Sequence, residues 1–198
     1  MYYFIADLHL GHTNVLKFDN RPFDNIQEHD EYMIRKWNEV VKPEDDVFIL
    51  GDISWHNIDK TVEIYERLNG KLHLIIGNHD AKIIRNNKIK SLFIEICDYK
   101  ELKIDNKICV LFHYPILCFN KRYYGSYHFY GHVHNSYEWI ATEQYKDDLI
   151  SKSDKPCNMI NIGCMMPYMD YQPRTFDEIV KGYNECVNNN TLFADGRG

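Results

Sequence analysis

Short apolar runs that stop abruptly at polar residues punctuate the first half of the chain. Residues 2–6, 47–50 and 71–76 each read as a buried strand that delivers a loop at its C-terminal end. Between the first two, Ile26, Tyr32, Met33, Trp37, Val40 and Val41 fall near helical spacing over residues 26–41, with Asn25 as N-cap and Pro43 as the stop. Residues 59–68 form a second amphipathic segment, and Gly70 beyond it suits the left-handed end of a helix. The pattern then changes. Residues 93–96, 99–104 and 107–112 read as strands, the last two joined by a tight turn at Asp105 and Asn106. Further strands are expected at 127–130, 137–141 and 159–162. A last helix starts at Thr175, where Thr175 and Glu178 match a capping box, and residues 188–198 read as a frayed tail. Strand and helix alternation followed by hairpins predicts one mixed α/β domain over residues 1–187, built from two sheets with helices outside them.

Composition narrows the class. A chain of 198 residues suits a single core, and 44% hydrophobic with 26% charged residues matches soluble globular proteins. No window approaches the roughly 18 apolar residues of a spanning helix, and the N-terminus lacks a basic region ahead of its apolar run. Neither signal peptide nor membrane anchor is expected. Six cysteines without Cys-x-x-Cys spacing read as free thiols in a reducing compartment, hence a cytoplasmic protein. A net charge of -6 excludes a uniformly basic surface for nucleic acid and leaves room for a local basic site.

The candidate chemistry lies where the apolar runs end. Asp7-Leu8-His9, Gly51-Asp52, Gly77-Asn78-His79-Asp80, His113 and Gly131-His132-Val133-His134 each follow or close a predicted strand. Open α/β sheets present ligands at the carboxyl ends of their strands, so these distant pieces can converge on one site. Two neighbouring divalent cations need imidazole nitrogens, carboxylate oxygens and one ligand with two oxygens to touch both. Asp52 is the candidate bridge. With Asp7 and Asp52 as the anionic ligands, two dications keep a net positive charge that attracts phosphate and lowers the pKa of water.

In that order these motifs resemble the calcineurin-like metallophosphoesterase superfamily, across residues 3–134. The segments from Asn161-Ile162-Gly163 through Arg174-Thr175-Phe176, Asp7 through His12 and Asn20-Arg21-Pro22-Phe23 resemble small bacterial and phage members. The resemblance implies a two-sheet sandwich flanked by helices on both outer faces. It assigns one metal to Asp7, His9, Asp52 and His134, the other to Asp52, Asn78, His113 and His132, and the general-acid role to His79. Metal-activated water would attack phosphorus in line while His79 protonates the departing oxygen. Mn²⁺ is the preferred cation for assays, with Fe, Zn²⁺, Ni²⁺ and Mg²⁺ as alternatives. The protein phosphatases of this superfamily extend Gly-Asp into Gly-Asp-x-x-Asp-Arg-Gly, whereas Ile53-Ser54-Trp55-His56-Asn57 follows here. That departure argues against phosphoprotein substrates and leaves the partner of His79 unnamed.

His12 and Arg21 follow the first ligand pair and are candidate substrate-binding residues, Arg21 as a bidentate phosphate clamp. The stretch Asn120-Lys121-Arg122-Tyr123-Tyr124 mixes basic and aromatic residues as base-stacking loops do. His29, His56, His73 and His128 have no motif context and read as structural. The leading expectation is a hydrolase of small phosphorylated substrates or nucleotides, acting on monoesters or diesters. A nuclease or cyclic-nucleotide phosphodiesterase, for which nucleic acid is the partner, and a non-catalytic metal-binding scaffold are the alternatives.

Overall fold

The computed structural model describes residues 1–189, 191 and 192. Four parallel strands, β1 (Tyr2–Ile5), β2 (Asp46–Leu50), β3 (Lys71–Ile75) and β4 (Glu95–Cys97), form the first sheet in the order 4-3-2-1. The register sets Phe4 against Phe48 and Ile49 against Leu74, and every strand from β1 to β3 is buried along most of its length. Such continuous apolar runs belong to parallel strands covered on both faces.

The second sheet runs β5 (Tyr99–Ile104), β6 (Lys107–Phe112), β7 (Tyr127–Tyr130) and β8 (Asn158–Asn161) in sequence order. Only β5 and β6 form the expected hairpin, turned by Asp105 at φ +52. The pairs β6–β7 and β7–β8 are parallel, so the second half is less hairpin-rich than its pattern predicts. A two-residue strand, β9 (Arg174–Thr175), adds antiparallel to the outer edge of β1.

Phe4 of β1 meets Phe129 of β7 edge to face at 5.3 Å, which joins the inner faces of the two sheets. Helices cover the outer faces. On the first sheet α1 (Val15–Phe18) precedes α2 (Ile26–Val40), whose Val40 carbonyl accepts from the Tyr3 hydroxyl at 3.0 Å, and α3 (Ile58–Tyr65). Asn25 caps α2 as predicted, accepting from the Glu28 N–H. A single turn, α4 (Asn87–Lys90), packs beside α3. On the second sheet lies α5 (Tyr137–Ser153), whose Lys146 ammonium reaches the Met159 carbonyl of β8. The last helix, α6 (Phe176–Asn188), opens with the expected Thr175–Glu178 capping box and packs Phe176 on Phe129.

Residues 137–141, expected as a strand, are the first turn and a half of α5. Their Tyr-Glu-Trp-Ile-Ala alternation mimics a strand, yet Ser136 caps the segment and Trp139, Thr142, Glu143 and Lys146 recur on one buried helical face. That face carries a Glu143–Lys146 pair in contact with Tyr183 of α6, so no apolar stripe announces the helix. The expected tail begins at Asn188, the last residue of α6, and residues 190 and 193–198 lie outside those described. Among the described residues no helix is long and apolar enough to cross a membrane, and all six cysteines are unpaired.

Candidate metal centre

The two sheets point their parallel strands the same way, because Ala6 beyond β1 bridges in parallel to Gly163 beyond β8. The Ala6 N–H donates to the Ile162 carbonyl at 3.0 Å and the Cys164 N–H to the Ala6 carbonyl at 2.9 Å, which stitches the two carboxyl edges together. Asp7, Asp52, Asn78, His113 and His132 all sit within three residues of a strand end on that edge. Sequence separations above 100 residues thereby collapse to contact distances.

Two groups of donors face each other across Asp52. In the first, Asp7, His9, Asp52 and His134 bring one ligand atom each within 4.8 Å of all the others. His9 Nε2 and His134 Nε2 are 2.9 Å apart, and His9 Nε2 is 3.6 Å from Asp52 Oδ2. In the second, Asn78 Oδ1 lies 2.8 Å from His113 Nε2 and 2.9 Å from His132 Nδ1. His113 Nε2 is 3.7 Å from Asp52 Oδ1. The two oxygens of one carboxylate thus address two separate donor sets.

Backbone strain concentrates here. Asp7, His9, Asp52, His132 and His134 all have φ between +47° and +70°, a conformation that costs roughly 1–2 kcal/mol for a residue with a side chain. Close backbone approach adds to it. A Cβ on Gly51, itself at φ +80, would sit 2.5 Å from Gly77 Cα, and one on Gly131 would sit 2.7 Å from Asp7 Oδ2. Hydrogen bonds hold the strained loops: both Asp7 oxygens accept from the His132 N–H at 3.0 Å, and Asp52 Oδ1 accepts from the His79 N–H at 3.1 Å. The buried Asp80 carboxylate accepts from the N–H groups of Asp52, Ile53 and Gly77, tying the loop after β2 to the loop after β3.

Residues 3–177 match the family model for the calcineurin-like phosphoesterase superfamily domain. The chain belongs to this superfamily. Its solved relatives include a protein of unknown function from Aquifex aeolicus, 29% identical, which superposes with a TM-score of 0.69 over 91% of this chain and 98% of the other. An uncharacterised protein of Methanocaldococcus jannaschii is 39% identical over 99 residues, covering 46% of this chain and 56% of that protein. The Gene 66 protein of Mycobacterium phage L5 is 36% identical over 82 residues, 40% of this chain and 39% of the phage protein. The chain therefore spans about half the length, or less, of the curated relatives it matches.

In this superfamily member a further layer of polar groups orients the ligand candidates, and most of it carries no motif. His134 Nδ1 lies 2.8 Å from Asp19, and the His134 carbonyl accepts from Asn161 Nδ2 at 2.7 Å. His113 Nδ1 donates to the Leu50 carbonyl at 2.8 Å, which leaves Nε2 with its lone pair toward the site. Burial opposes charge on His134, but the Asp19 hydrogen bond and the Asp7 charge outweigh it and raise its pKa. Burial dominates elsewhere, holding His9 well below the usual histidine value, lowering His132 and raising Asp7. Neutral imidazoles are the form that ligates a metal.

Arg21, expected as a phosphate clamp, turns inward. Its wholly buried guanidinium donates to Asp19 at 2.9 Å and to the backbone carbonyls of Leu8 and Asp7 at 3.1 and 2.9 Å, with His29 Nε2 at 2.9 Å. Every direction of the fork is spent on fixing the loops behind the ligands. His12 does stand at the site, its ring stacked on Trp55 at 4.4 Å and 5.5 Å from His9. Trp55 lies in the stretch that departs from the phosphatase motif, and its ring also packs against His9 at 4.6 Å and His79 at 4.5 Å. His79 is exposed beside the donors. In the Asn120–Tyr124 stretch Arg122 turns inward, donating to the Pro156 carbonyl and lying over the Tyr123 ring, so its charge is not offered outward.

Proposed function

We propose that this chain hydrolyses phosphate monoesters or diesters with two divalent cations, one held by Asp7, His9, Asp52 and His134, the other by Asp52, Asn78, His113 and His132. The observation that supports it best is the division of the Asp52 carboxylate, one oxygen toward His9 and the other toward His113. The donor chemistry fits. Four imidazoles, two carboxylates and an amide oxygen suit borderline transition metals better than Mg²⁺, and Mn²⁺ is the cation of choice for assays. Bound cations would polarise a phosphoryl oxygen and lower the pKa of water.

The protein's own groups supply the rest. Asp7 and Asp52 together carry two negative charges against the four positive charges of two dications, so the filled site attracts an anionic ester. Asn78 and the imidazoles add no charge of their own. His79 stands in reach of the ester's departing oxygen, tethered through its backbone to Asp52 and flanked by the Trp55 ring, and delivers a proton there as the P–O bond breaks. Among the described residues no carboxylate hydrogen-bonds its ring, and the Trp55 ring packs against it at 4.5 Å.

Replacing His79 with Gln should slow hydrolysis of alkyl phosphate esters by about 10²-fold while nitrophenyl esters, whose leaving group needs little protonation, lose less than about fivefold. Steady-state kinetics on the two ester types decide it, and equal losses would remove the proton-donor role. Replacing Asp19 with Asn should weaken Mn²⁺ binding at the His134 side by about 10- to 100-fold, because the amide can still accept from His134 Nδ1 but lacks the charge that makes the ring more basic. Calorimetric titration of one ion with unchanged affinity and one with lowered affinity is the expected pattern. A scaffold that binds metal without turnover would instead show full Mn²⁺ uptake and no hydrolysis of any ester in a broad panel.

A further inference from the structure

Beside the metal centre opens a cavity of about 630 Å³, within the roughly 300–1,000 Å³ span of small-molecule sites. Trp55 and His79, which pack on each other beside His9, line it together with Lys82, Arg85, Asn57 and Asn86. Among the described residues its wall contains no carboxylate. Lys82 caps and Arg85 ends the 3₁₀ turn Ile83–Arg85, where side chains three apart fall on the same side. Both are exposed, and neither side chain forms a hydrogen bond or ion pair with another described residue. Two unpaired cations facing one hollow stand out in a chain of net charge -6. Asn57 and Asn86 spend their side-chain oxygens as helix caps on the N–H groups of Lys60 and Lys88, which leaves their amide NH₂ groups as donors. Ile58 and Ile83 join Trp55 in an apolar wall.

Cationic and donor groups together with an aromatic ring in one cavity match a ligand that carries both an anion and a flat ring. His79 fixes which part of the substrate enters. It protonates the departing oxygen and also lines the cavity, so the cavity lies on the leaving-group side of the scissile bond. We propose that this cavity is a leaving-group subsite for a nucleotide that bears a second phosphate, which makes single-stranded oligonucleotide diesters the preferred substrate class. The inference rests on the phosphoesterase reading above. In the step itself the water oxygen bonds to phosphorus, the bond from phosphorus to the nucleotide's sugar oxygen breaks, and that oxygen takes the His79 proton. One water proton goes to solvent. The products are a phosphate monoester and a nucleotide with a free hydroxyl.

The test compares three diesters with Mn²⁺-loaded enzyme: bis(p-nitrophenyl) phosphate, the thymidine dinucleoside monophosphate, and the thymidine trinucleotide whose leaving nucleotide carries one more phosphate. The trinucleotide should exceed the dinucleoside monophosphate by about tenfold or more in kcat/KM, and the Lys82→Glu/Arg85→Glu double variant should cut that ratio by at least about tenfold. A wild-type ratio near one, or a ratio the double variant leaves intact, overturns the subsite. Should none of the three esters be hydrolysed, the phosphoesterase reading itself fails. Binding of thymidine 3′,5′-bisphosphate, measured by calorimetry, then still decides the subsite: affinity that falls about tenfold or more in the double variant supports it, and equal affinity refutes it.

Discussion

Replacing Asp52 with Asn should lower kcat/KM on bis(p-nitrophenyl) phosphate by on the order of 10³-fold or more and leave the chain unable to hold two cations at once. The expectation follows from position. Asp52 Oδ2 is 3.6 Å from His9 and Oδ1 is 3.7 Å from His113, so a single carboxylate serves both donor groups. An amide in its place has one oxygen to offer and no charge. The backbone tolerates the change, because Asn adopts positive φ as readily as Asp and the native value is +56°. The amide oxygen also keeps the hydrogen bond from the His79 N–H. In metal-free protein the variant should be no less stable than wild type, since the Asp52 charge works against ionisation of the buried Asp7. Loss of both metal and turnover with an intact urea midpoint in EDTA is therefore the signature. A variant that binds two ions and turns over normally contradicts the bridging role.

The second large effect concerns stability. Arg21→Met should lower the free energy of unfolding by about 3–5 kcal/mol, because it removes the cation paired with the buried Asp19, leaving His134 as that carboxylate's side-chain partner, and takes the guanidinium donors from the Leu8 and Asp7 carbonyls. For a domain of this size that corresponds to a fall of about 6–20 °C in Tm. The loss appears in EDTA as well as with Mn²⁺, since the partners of Arg21 are the Asp19 carboxylate, the His29 ring and the Leu8 and Asp7 carbonyls, all groups of the protein itself. A surface clamp on substrate would behave oppositely, with an unchanged Tm and a raised KM. Urea unfolding in parallel with a KM measurement separates the two roles, and a stability change below about 1 kcal/mol would return Arg21 to the substrate.

The fold and the inner donor set were legible because each is written locally. Apolar runs that end at Asp7, Asp52 and Asn78 announce buried parallel strands with functional loops, and the capping pair at Thr175 and Glu178 announces the last helix. What sequence patterns missed is what depends on tertiary pairing. Helix α5 hides because its buried face is the Glu143–Lys146–Tyr183 cluster, which looks solvated until α6 packs over it. The parallel return of β7 and β8 is not written in the expected strands at 127–130 and 159–162, because period-2 patterning does not encode strand direction. Arg21 on a polar loop looked like a phosphate clamp, and its burial arises from Asp19 and the carbonyls of Leu8 and Asp7, which no spacing rule connects. Trp55 was visible only as a departure from a phosphatase motif. Its contacts with His9, His12 and His79 give that departure a physical meaning, an aromatic wall in place of the Asp-Arg pair of the phosphatase motif.

The most direct measurement is the metal content of purified chain after equilibration with Mn²⁺ and removal of free ion, compared between wild type and Asp52→Asn. Two equivalents per wild-type chain, falling to one or none in the variant, is the predicted result. A wild-type protein that retains no transition metal, or a variant that still retains two equivalents, contradicts the shared-carboxylate centre on which the functional reading stands.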